Sequence, residues 1–289
     1  MTNKKDVRTI AVIGGGIMGR GIAHVSAMAG LTTVLNDVSD ELLEKARGQI
    51  RRDLQKSAEI GKIQSNAIEE TLSRLNLQSK LEHAVNNADM IIEAVPEQIE
   101  LKLDLFARLD RICVSDVIFA SNTSALSITE MAGATKRPQQ FIGMHFFNPV
   151  HKMKLVEIIR GLETSDDTFH VAESISQKMG KETVEVKESP GFVTSRINAL
   201  IGNEAFFMLQ EGVASASDID KALKLGLNHP MGPFEMIDLV GLDTRLSILN
   251  FLYKTLGEKY RPCPLLVKYV KSGRLGKKVG RGVYDYPDH

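Results

Sequence analysis

The sequence predicts an α/β protein in which a doubly wound parallel sheet is followed by an all-helical C-terminal region. Short apolar runs alternate with helical patterns over about the first 190 residues, and this alternation is typical of parallel strands joined by helices. A glycine-rich turn separates the first apolar run from the first helical pattern. Beyond this part of the chain the pattern is mostly helical.

Six short apolar runs are predicted to form buried strands, because they are hydrophobic on both faces. They lie at residues 9–13, 32–35, 90–95, 117–120, 141–146 and 155–159. Helices are predicted between them, the first ending near Ala29 and a longer one covering residues 40–60. In the longer helix Leu43, Ile50 and Leu54 share one face, while basic side chains lie opposite.

The pattern changes at residues 187–191, where charged residues, Pro190 and Gly191 cluster. Helices are predicted beyond it at residues 192–211, 217–225, 235–240 and 243–256. Ser217, followed by Asp218 and Asp220, is typical of a helix N-terminus. We therefore expect an α/β domain over residues 1–187 and a helical domain over residues 188–289.

Composition excludes several classes of protein. The 289 residues carry 36 Lys+Arg against 36 Asp+Glu, a balance that argues against a protein that coats nucleic acid or an anionic membrane. No apolar run approaches the ~20 residues that span a bilayer, and the N-terminus lacks a signal-peptide pattern. Cys113 and Cys263 lie far apart. We expect no metal site and a reducing, cytoplasmic location.

The glycine-rich turn at residues 14–19 reads Gly-Gly-Gly-Ile-Met-Gly and contains Ile17 and Met18. It fits G-x-G-x-x-G directly after a strand and at the start of a helix, as a Rossmann-type dinucleotide site requires. Gly14 allows the tight turn, Gly16 lets a pyrophosphate approach, and Gly19 allows close helix–strand packing. A glycine turn that serves packing alone is the alternative.

Asp37 follows the second predicted strand, where a carboxylate accepts hydrogen bonds from the adenosine ribose hydroxyls. Val38 and Ser39 come next, so no arginine stands ready for a 2′-phosphate. The sequence therefore favours NAD over NADP.

Polar side chains also follow the strands predicted at residues 117–120 and 141–146, and ligands of open α/β sheets bind at such strand ends. His145 lies at the end of the second of these strands, and Glu157 is embedded in the next apolar run. A carboxylate among apolar residues needs a partner, and an imidazole held by a carboxylate can act as a general base. A core histidine, and a Glu157 paired with a lysine, are the alternatives.

The chain resembles the L-3-hydroxyacyl-CoA dehydrogenase family over nearly its whole length, and is especially similar to the stand-alone bacterial 3-hydroxybutyryl-CoA dehydrogenases. The blocks that carry the resemblance are VIGGGIMGRGIA, FASNTSALSI, IGMHFFNPVHKMKLVEIIRG, SPGFVTSR and DIDKALKLGLNHPMGPFE. The resemblance implies NAD-dependent, reversible oxidation of an (S)-3-hydroxyacyl-CoA by a homodimer that associates through its helical domain.

The resemblance also implies roles for individual residues. His145 matches the catalytic base, Glu157 its partner, and Ser124 the serine that hydrogen-bonds the substrate oxygen; without the resemblance, Ser124 could be only a turn or capping hydroxyl. Further residues match positions that line the cofactor cleft, namely Glu97, Lys102, Asn122 and Asn148.

One position departs from the family pattern. The family usually has an asparagine before the arginine that follows Pro-Gly-Phe, and that asparagine contacts the substrate, whereas this chain has Ser195 there. A hydroxyl cannot reproduce the fixed geometry of an amide. Asn198 lies three residues on, on the same helix face. We expect either Ser195 or Asn198 to make the contact.

Although the net charge is zero, basic residues are concentrated in two segments, at residues 45–62 and 268–281. The alternative without a function is a solvated helix face for the first segment and a basic tail for the second. CoA carries several phosphates, and the family binds them with the helical region after its second strand. We therefore expect Lys56 or Lys62 to contact the CoA phosphates.

Two other functions stay open. A dehydrogenase of a free hydroxy acid, such as a sugar acid, would keep the His–Glu pair without needing CoA. A non-catalytic NAD-binding structural protein would need neither, and the presence of His145, Glu157 and Ser124 counts against it.

Overall fold

The computed structural model describes residues 6–287. The chain divides between Glu188 and Ser189 into two compact units. The named elements of the second unit are all helices, whereas the first combines helices with a sheet. In the part of the chain described, no helix has both the length and the apolar character needed to cross a membrane.

Eight strands of the first unit form one sheet. In chain order they are β1 (Thr9–Ile13), β2 (Thr32–Asn36), β3 (Leu75–Gln78), β4 (Met90–Glu93), β5 (Ile118–Ser121), β6 (Phe141–Phe146), β7 (Leu155–Arg160) and β8 (Glu182–Lys187). Their spatial order is β3-β2-β1-β4-β5-β6-β7-β8. The order reverses between β1 and β4, and such a reversal opens a crevice at the carboxyl ends of the strands.

The sheet is parallel except at one pair, which adds an antiparallel step to the predicted doubly wound parallel sheet. β6 and β7 run antiparallel, and His145 lies opposite Glu157 in their register. The connection between them, residues 147–154, contains no helix. A parallel pair needs a crossover of a dozen or more residues, so this short connection returns the chain in the opposite direction.

Within the described residues of the first unit, seven α-helices connect the strands. They are α1 (Ile17–Met28), α2 (Asp40–Glu59), α3 (Asn66–Ser73), α4 (Leu81–Val85), α5 (Ile99–Ile112), α6 (Ile128–Gly133) and α7 (Asp166–Lys178). One apolar core joins the strands to α1 and α2, and Leu43, Ile50 and Leu54 belong to it as their helical spacing predicts.

The sequence prediction missed β3 and β8 because neither is a continuous apolar run. Asn76 and Gln78 interrupt β3, while β8 is an edge strand whose one buried side chain is Val186. Strands at a sheet edge carry charged and polar residues that hide the strand pattern. Of the six predicted strands, β1 and β6 have the predicted ends, and the ends of the other four differ by at most two residues.

The second unit contains α8 (Thr194–Gln210), α9 (Ala216–Gly226), α10 (Pro233–Val240), α11 (Leu242–Leu256) and α12 (Pro264–Lys271) around its own core. The prediction omitted α12, which begins at a proline. It also misplaced the cap of α9, since Ser215 rather than Ser217 accepts the hydrogen bond from the Asp218 amide.

Candidate active site

The glycine turn between β1 and α1 has the geometry of a phosphate cradle. Gly14 has a φ of 108°, and a Cβ there would lie 2.6 Å from the Ala94 carbonyl oxygen. A Cβ at Gly19 would lie 1.7 Å from the Gly14 carbonyl oxygen. Gly16 is the N-cap of α1, and a Cβ there would meet no atom within 4 Å. Only glycine fits at the first two positions, and the open backbone at Gly16 suits an anion at the helix N-terminus.

The two residues between Gly16 and Gly19 differ in their surroundings. Ile17 is exposed at the start of α1, whereas Met18 is half-buried and packs against the core of the first unit. Ile17 therefore presents apolar surface beside the open backbone, and Met18 anchors the turn.

Asp37 lies just beyond the end of β2 and faces the glycine turn. Its Oδ2 accepts a hydrogen bond from the Gly15 amide at 2.7 Å. This hydrogen bond orients the Asp37 carboxylate. The next residue, Val38, is 95 % exposed. The turn and the carboxylate together fit the pyrophosphate and the adenosine ribose of NAD.

His145 and Glu157 are brought together by the antiparallel register of β6 and β7. The His145 Nδ1 lies 2.7 Å from the Glu157 Oε2, with the two side chains 9 % and 0 % exposed. The aromatic ring of Phe147 lies beside the imidazole, with 4.5 Å between ring centroids. Because Nδ1 faces a carboxylate, the neutral ring keeps its proton there and Nε2 carries the lone pair. The pair thus has the geometry of an oriented base.

The end of β5 supplies the neighbouring polar groups. Asn122 accepts a hydrogen bond from the Phe146 amide at 3.0 Å, which ties the ends of β5 and β6 together. Ser124 donates to Glu97 Oε1 from its amide at 2.8 Å and from its hydroxyl at 3.1 Å. The Thr123 hydroxyl donates to the same oxygen at 2.6 Å. Glu97 therefore fixes the loop that carries Ser124.

Lys102 joins two carboxylates beneath this loop. Its Nζ lies 2.6 Å from Glu93 Oε1 and 3.1 Å from Glu97 Oε2, and its side chain is 1 % exposed. Burial raises the pKa of the Glu93 carboxyl. Burial also acts to raise the pKa of Glu97, but the charge of Lys102 and the hydrogen bonds from Thr123 and Ser124 outweigh it, so that pKa is lowered. Lys102 thus keeps Glu97 ionised instead of presenting its own charge to a ligand.

Glu93 and Thr123 belong to this network and were missed from the sequence. Glu93 is the last residue of β4, fully buried, and also accepts a hydrogen bond from the Ser121 hydroxyl at 2.5 Å. Glu93 lies inside the apolar run at residues 90–95, and a carboxylate inside such a run is the signal that identified Glu157. Thr123 had no comparable signal.

The remaining predicted residues lie on three other segments. Asn148 is exposed on the connection between β6 and β7, three residues after His145. Lys56 lies in the last turn of α2 and Lys62 shortly after it, both exposed. Ser195 and Asn198 are half-buried on α8 of the second unit.

Comparison with known proteins identifies the family. Residues 9–189 match the model of the 3-hydroxyacyl-CoA dehydrogenase NAD binding domain, and residues 191–286 match the C-terminal domain of the same family. The chain belongs to the 3-hydroxyacyl-CoA dehydrogenase family. The expected family and the NAD-binding, Rossmann-type fold are thereby confirmed.

Individual relatives of the family match almost end to end. A probable 3-hydroxybutyryl-CoA dehydrogenase of Bacillus subtilis (strain 168) is 48% identical over 284 residues, 98% of this chain and 99% of that protein. The mitochondrial hydroxyacyl-coenzyme A dehydrogenase of Homo sapiens is 42% identical and covers 97% of this chain and 91% of its own. The crystal structure of (S)-3-hydroxybutyryl-CoA dehydrogenase from Ralstonia eutropha superposes with a TM-score of 0.95 at 43% identity, over 98% of this chain and 100% of that one.

Proposed function

We propose that the protein oxidises (S)-3-hydroxybutyryl-CoA to the 3-oxoacyl-CoA, reversibly and with NAD as the acceptor. The His145–Glu157 pair carries this proposal, because an imidazole oriented by a buried carboxylate is the group that alcohol oxidation requires. Membership of the family and the names of the relatives support a 3-hydroxyacyl-CoA substrate, and several relatives are named for the four-carbon one.

In the proposed mechanism His145 Nε2 accepts the proton of the C3 hydroxyl. Glu157 stabilises the imidazolium that results, because its carboxylate lies 2.7 Å from the protonated Nδ1. NAD supplies the acceptor for the hydride that leaves C3, so the substrate loses a proton and a hydride in total. In the reverse direction the same imidazolium returns the proton.

Ser124 is proposed to hydrogen-bond the substrate oxygen, for which its one hydroxyl proton turns from Glu97 to the substrate. Its loop is fixed by Glu97, which Lys102 holds in the ionised state. Glu97 and Lys102 are therefore proposed as positioning residues. Asn122 has the same role for the end of β6, through the Phe146 amide.

The residues proposed to hold NAD are the glycines of the turn with Ile17 and Met18, and Asp37 for the ribose. Asn148 is proposed to line the same cleft, as the family resemblance implies. Lys56 or Lys62 would contact the CoA phosphates, and Ser195 or Asn198 would contact the substrate.

One assay decides between this function and its alternatives. Nicotinamide absorbance is followed with acetoacetyl-CoA, with a longer 3-oxoacyl-CoA and with a free 3-oxo acid. We expect the highest kcat/KM with acetoacetyl-CoA. Activity with the free acid alone would contradict the proposal, and no activity with any of the three would favour a non-catalytic NAD-binding protein.

The proposed enzyme is a cytoplasmic homodimer that associates through its helical C-terminal domain, as the resemblance implies. Sedimentation equilibrium is expected to give twice the 31.9 kDa of one chain. A chain truncated after residue 187 is expected to lose this association, and a full-length protein with the mass of one chain would contradict the dimer.

A further inference from the structure

Three side chains outside the proposed catalytic network converge on one small cavity of the first unit. His24 lies on α1, Asp53 on α2, and His151 on the connection between β6 and β7. One potential ligand atom from each lies within 4.8 Å of the other two. All three line a cavity of about 30 Å³, which is enough for a water molecule or a single metal ion.

His24 is the least expected member of the group. It is 2 % exposed, and its Nε2 has no hydrogen-bond partner among the described residues. A buried polar atom without a partner is costly unless a ligand or water satisfies it. The His24 and His151 rings stack with 5.5 Å between centroids, so the two imidazoles lie side by side at the cavity.

The framework around the cavity holds these side chains in place. Lys181 donates hydrogen bonds to the carbonyls of Val150 and Met153, which flank His151. A Cβ at Gly21 would lie 2.7 Å from the Val150 side chain, so α1 and the connection pack closely there. The Asp53 carboxylate accepts a hydrogen bond from Gln49, one turn earlier on α2, at 3.0 Å.

We propose that His24, Asp53 and His151 bind a divalent transition-metal ion of the Zn²⁺ type. Two imidazole nitrogens and one carboxylate oxygen form a common zinc ligand set, with water as the fourth ligand. In a tetrahedral site, zinc–ligand bonds of about 2.0–2.2 Å place two ligand atoms about 3.3–3.6 Å apart. The present spread therefore closes with side-chain movements of less than about 1 Å.

The charges at the cavity favour a cation only through Asp53. Arg20 also lines the cavity, and its charge opposes a cation and would favour an anion such as phosphate. The carboxylate of Asp53 would repel that anion, and the two imidazoles bind metal ions in their neutral forms. The bound ion would cross-link α1, α2 and the connection that carries Asn148, and so stabilise the fold of the first unit.

Binding is measured on the full chain without an affinity tag, after treatment with a chelator. Isothermal titration with Zn²⁺ is expected to show one equivalent per chain, and Zn²⁺ is expected to raise the Tm. His151→Gln and Asp53→Asn, both at half-buried positions, are each expected to weaken this binding at least about tenfold. His83→Gln, at an exposed position on α4, is the matched control and should leave it unchanged.

The visible spectrum of bound Co²⁺ gives a second readout, which is expected in the wild type and lost in His151→Gln. Zn²⁺ binding that is absent, or equal in the wild type and both ligand variants, would overturn the proposal. The proposal would also be overturned if inorganic phosphate, and not Zn²⁺, raised the Tm of the wild type while phosphate left the Tm of His151→Gln unchanged. These measurements involve no turnover, so their outcome is independent of the proposed function.

Discussion

His145 and Glu157 face each other across the antiparallel β6–β7 pair, and their side chains meet at 2.7 Å between Nδ1 and Oε2. The contact depends on register, because a slip of one residue would turn one of the two side chains to the opposite face of the sheet. The short connection between the strands fixes that register. Two residues that are twelve positions apart in the sequence are thus joined by one hydrogen bond near the end of β6.

Asp37 is expected to set the preference for NADH over NADPH. In Asp37→Asn the KM for NADH should rise about tenfold, because a charge-assisted hydrogen bond to the ribose is weakened. NADPH should be used better, since the carboxylate no longer repels its 2′-phosphate. Steady-state kinetics with both nucleotides check this, with Asp40→Asn, an exposed carboxylate on α2, as the control. If the ratio of kcat/KM with NADH to kcat/KM with NADPH is the same in Asp37→Asn as in the wild type, the assignment is contradicted.

Lys102 is expected to be far more important for stability than a surface lysine. Lys102→Met leaves the buried Glu93 without its countercharge, and the expected loss in the free energy of unfolding is about 3–5 kcal/mol. Lys45→Met removes an exposed pair with Glu41 and should change it by less than about 0.5 kcal/mol. Urea unfolding followed by circular dichroism compares the two. Similar small losses of unfolding free energy in both variants would show that the buried ion pairs of Lys102 are not needed for stability.

The CoA phosphates are expected to make substrate binding sensitive to salt. The double variant Lys56→Gln/Lys62→Gln should raise the KM for acetoacetyl-CoA about tenfold and weaken its dependence on ionic strength. Lys268→Gln/Lys271→Gln removes the same charge from the second basic segment. This control should change neither the KM for acetoacetyl-CoA nor its dependence on ionic strength. If both double variants behave like the wild type at every salt concentration, the phosphates bind elsewhere.

Ser195 and Asn198 are the candidates for the substrate contact that the family makes with asparagine. Ser195→Ala and Asn198→Ala should differ, with a KM for acetoacetyl-CoA raised several-fold in whichever variant loses the contact. Ser195→Asn restores the family residue and should lower that KM if Ser195 occupies the contact position. Two alanine variants with unchanged kcat and KM would exclude both residues.

Most of what positions the site could be predicted from the sequence because its signals are local. The glycine turn at Gly14 and Gly19, and a carboxylate inside an apolar strand at Glu157, both follow from neighbouring residues. The direction of β7 depends on the absence of a helix after β6. The Lys102 network depends on β4, α5 and the end of β5 meeting in space. Such long-range relationships leave no pattern in a short window of sequence.

The caps and edges of the fold were predicted less well for a related reason. Ser215 and Ser217 are both adequate caps for α9, and the structure selects Ser215, whose hydroxyl accepts the Asp218 amide at 3.2 Å. The edge strand β8 mixes threonine and valine with charged residues, so its pairing with β7 is set by tertiary contact rather than by its own hydrophobicity.

The central claim is that His145 is the general base, and the turnover of His145→Gln with acetoacetyl-CoA and NADH tests it most directly. NADH binding is checked in the same samples by the fluorescence of the nucleotide itself. The account predicts a kcat lowered about 10²–10⁴-fold with NADH binding retained, and a similar but smaller loss in Glu157→Gln. A kcat near the wild-type value in His145→Gln would contradict it.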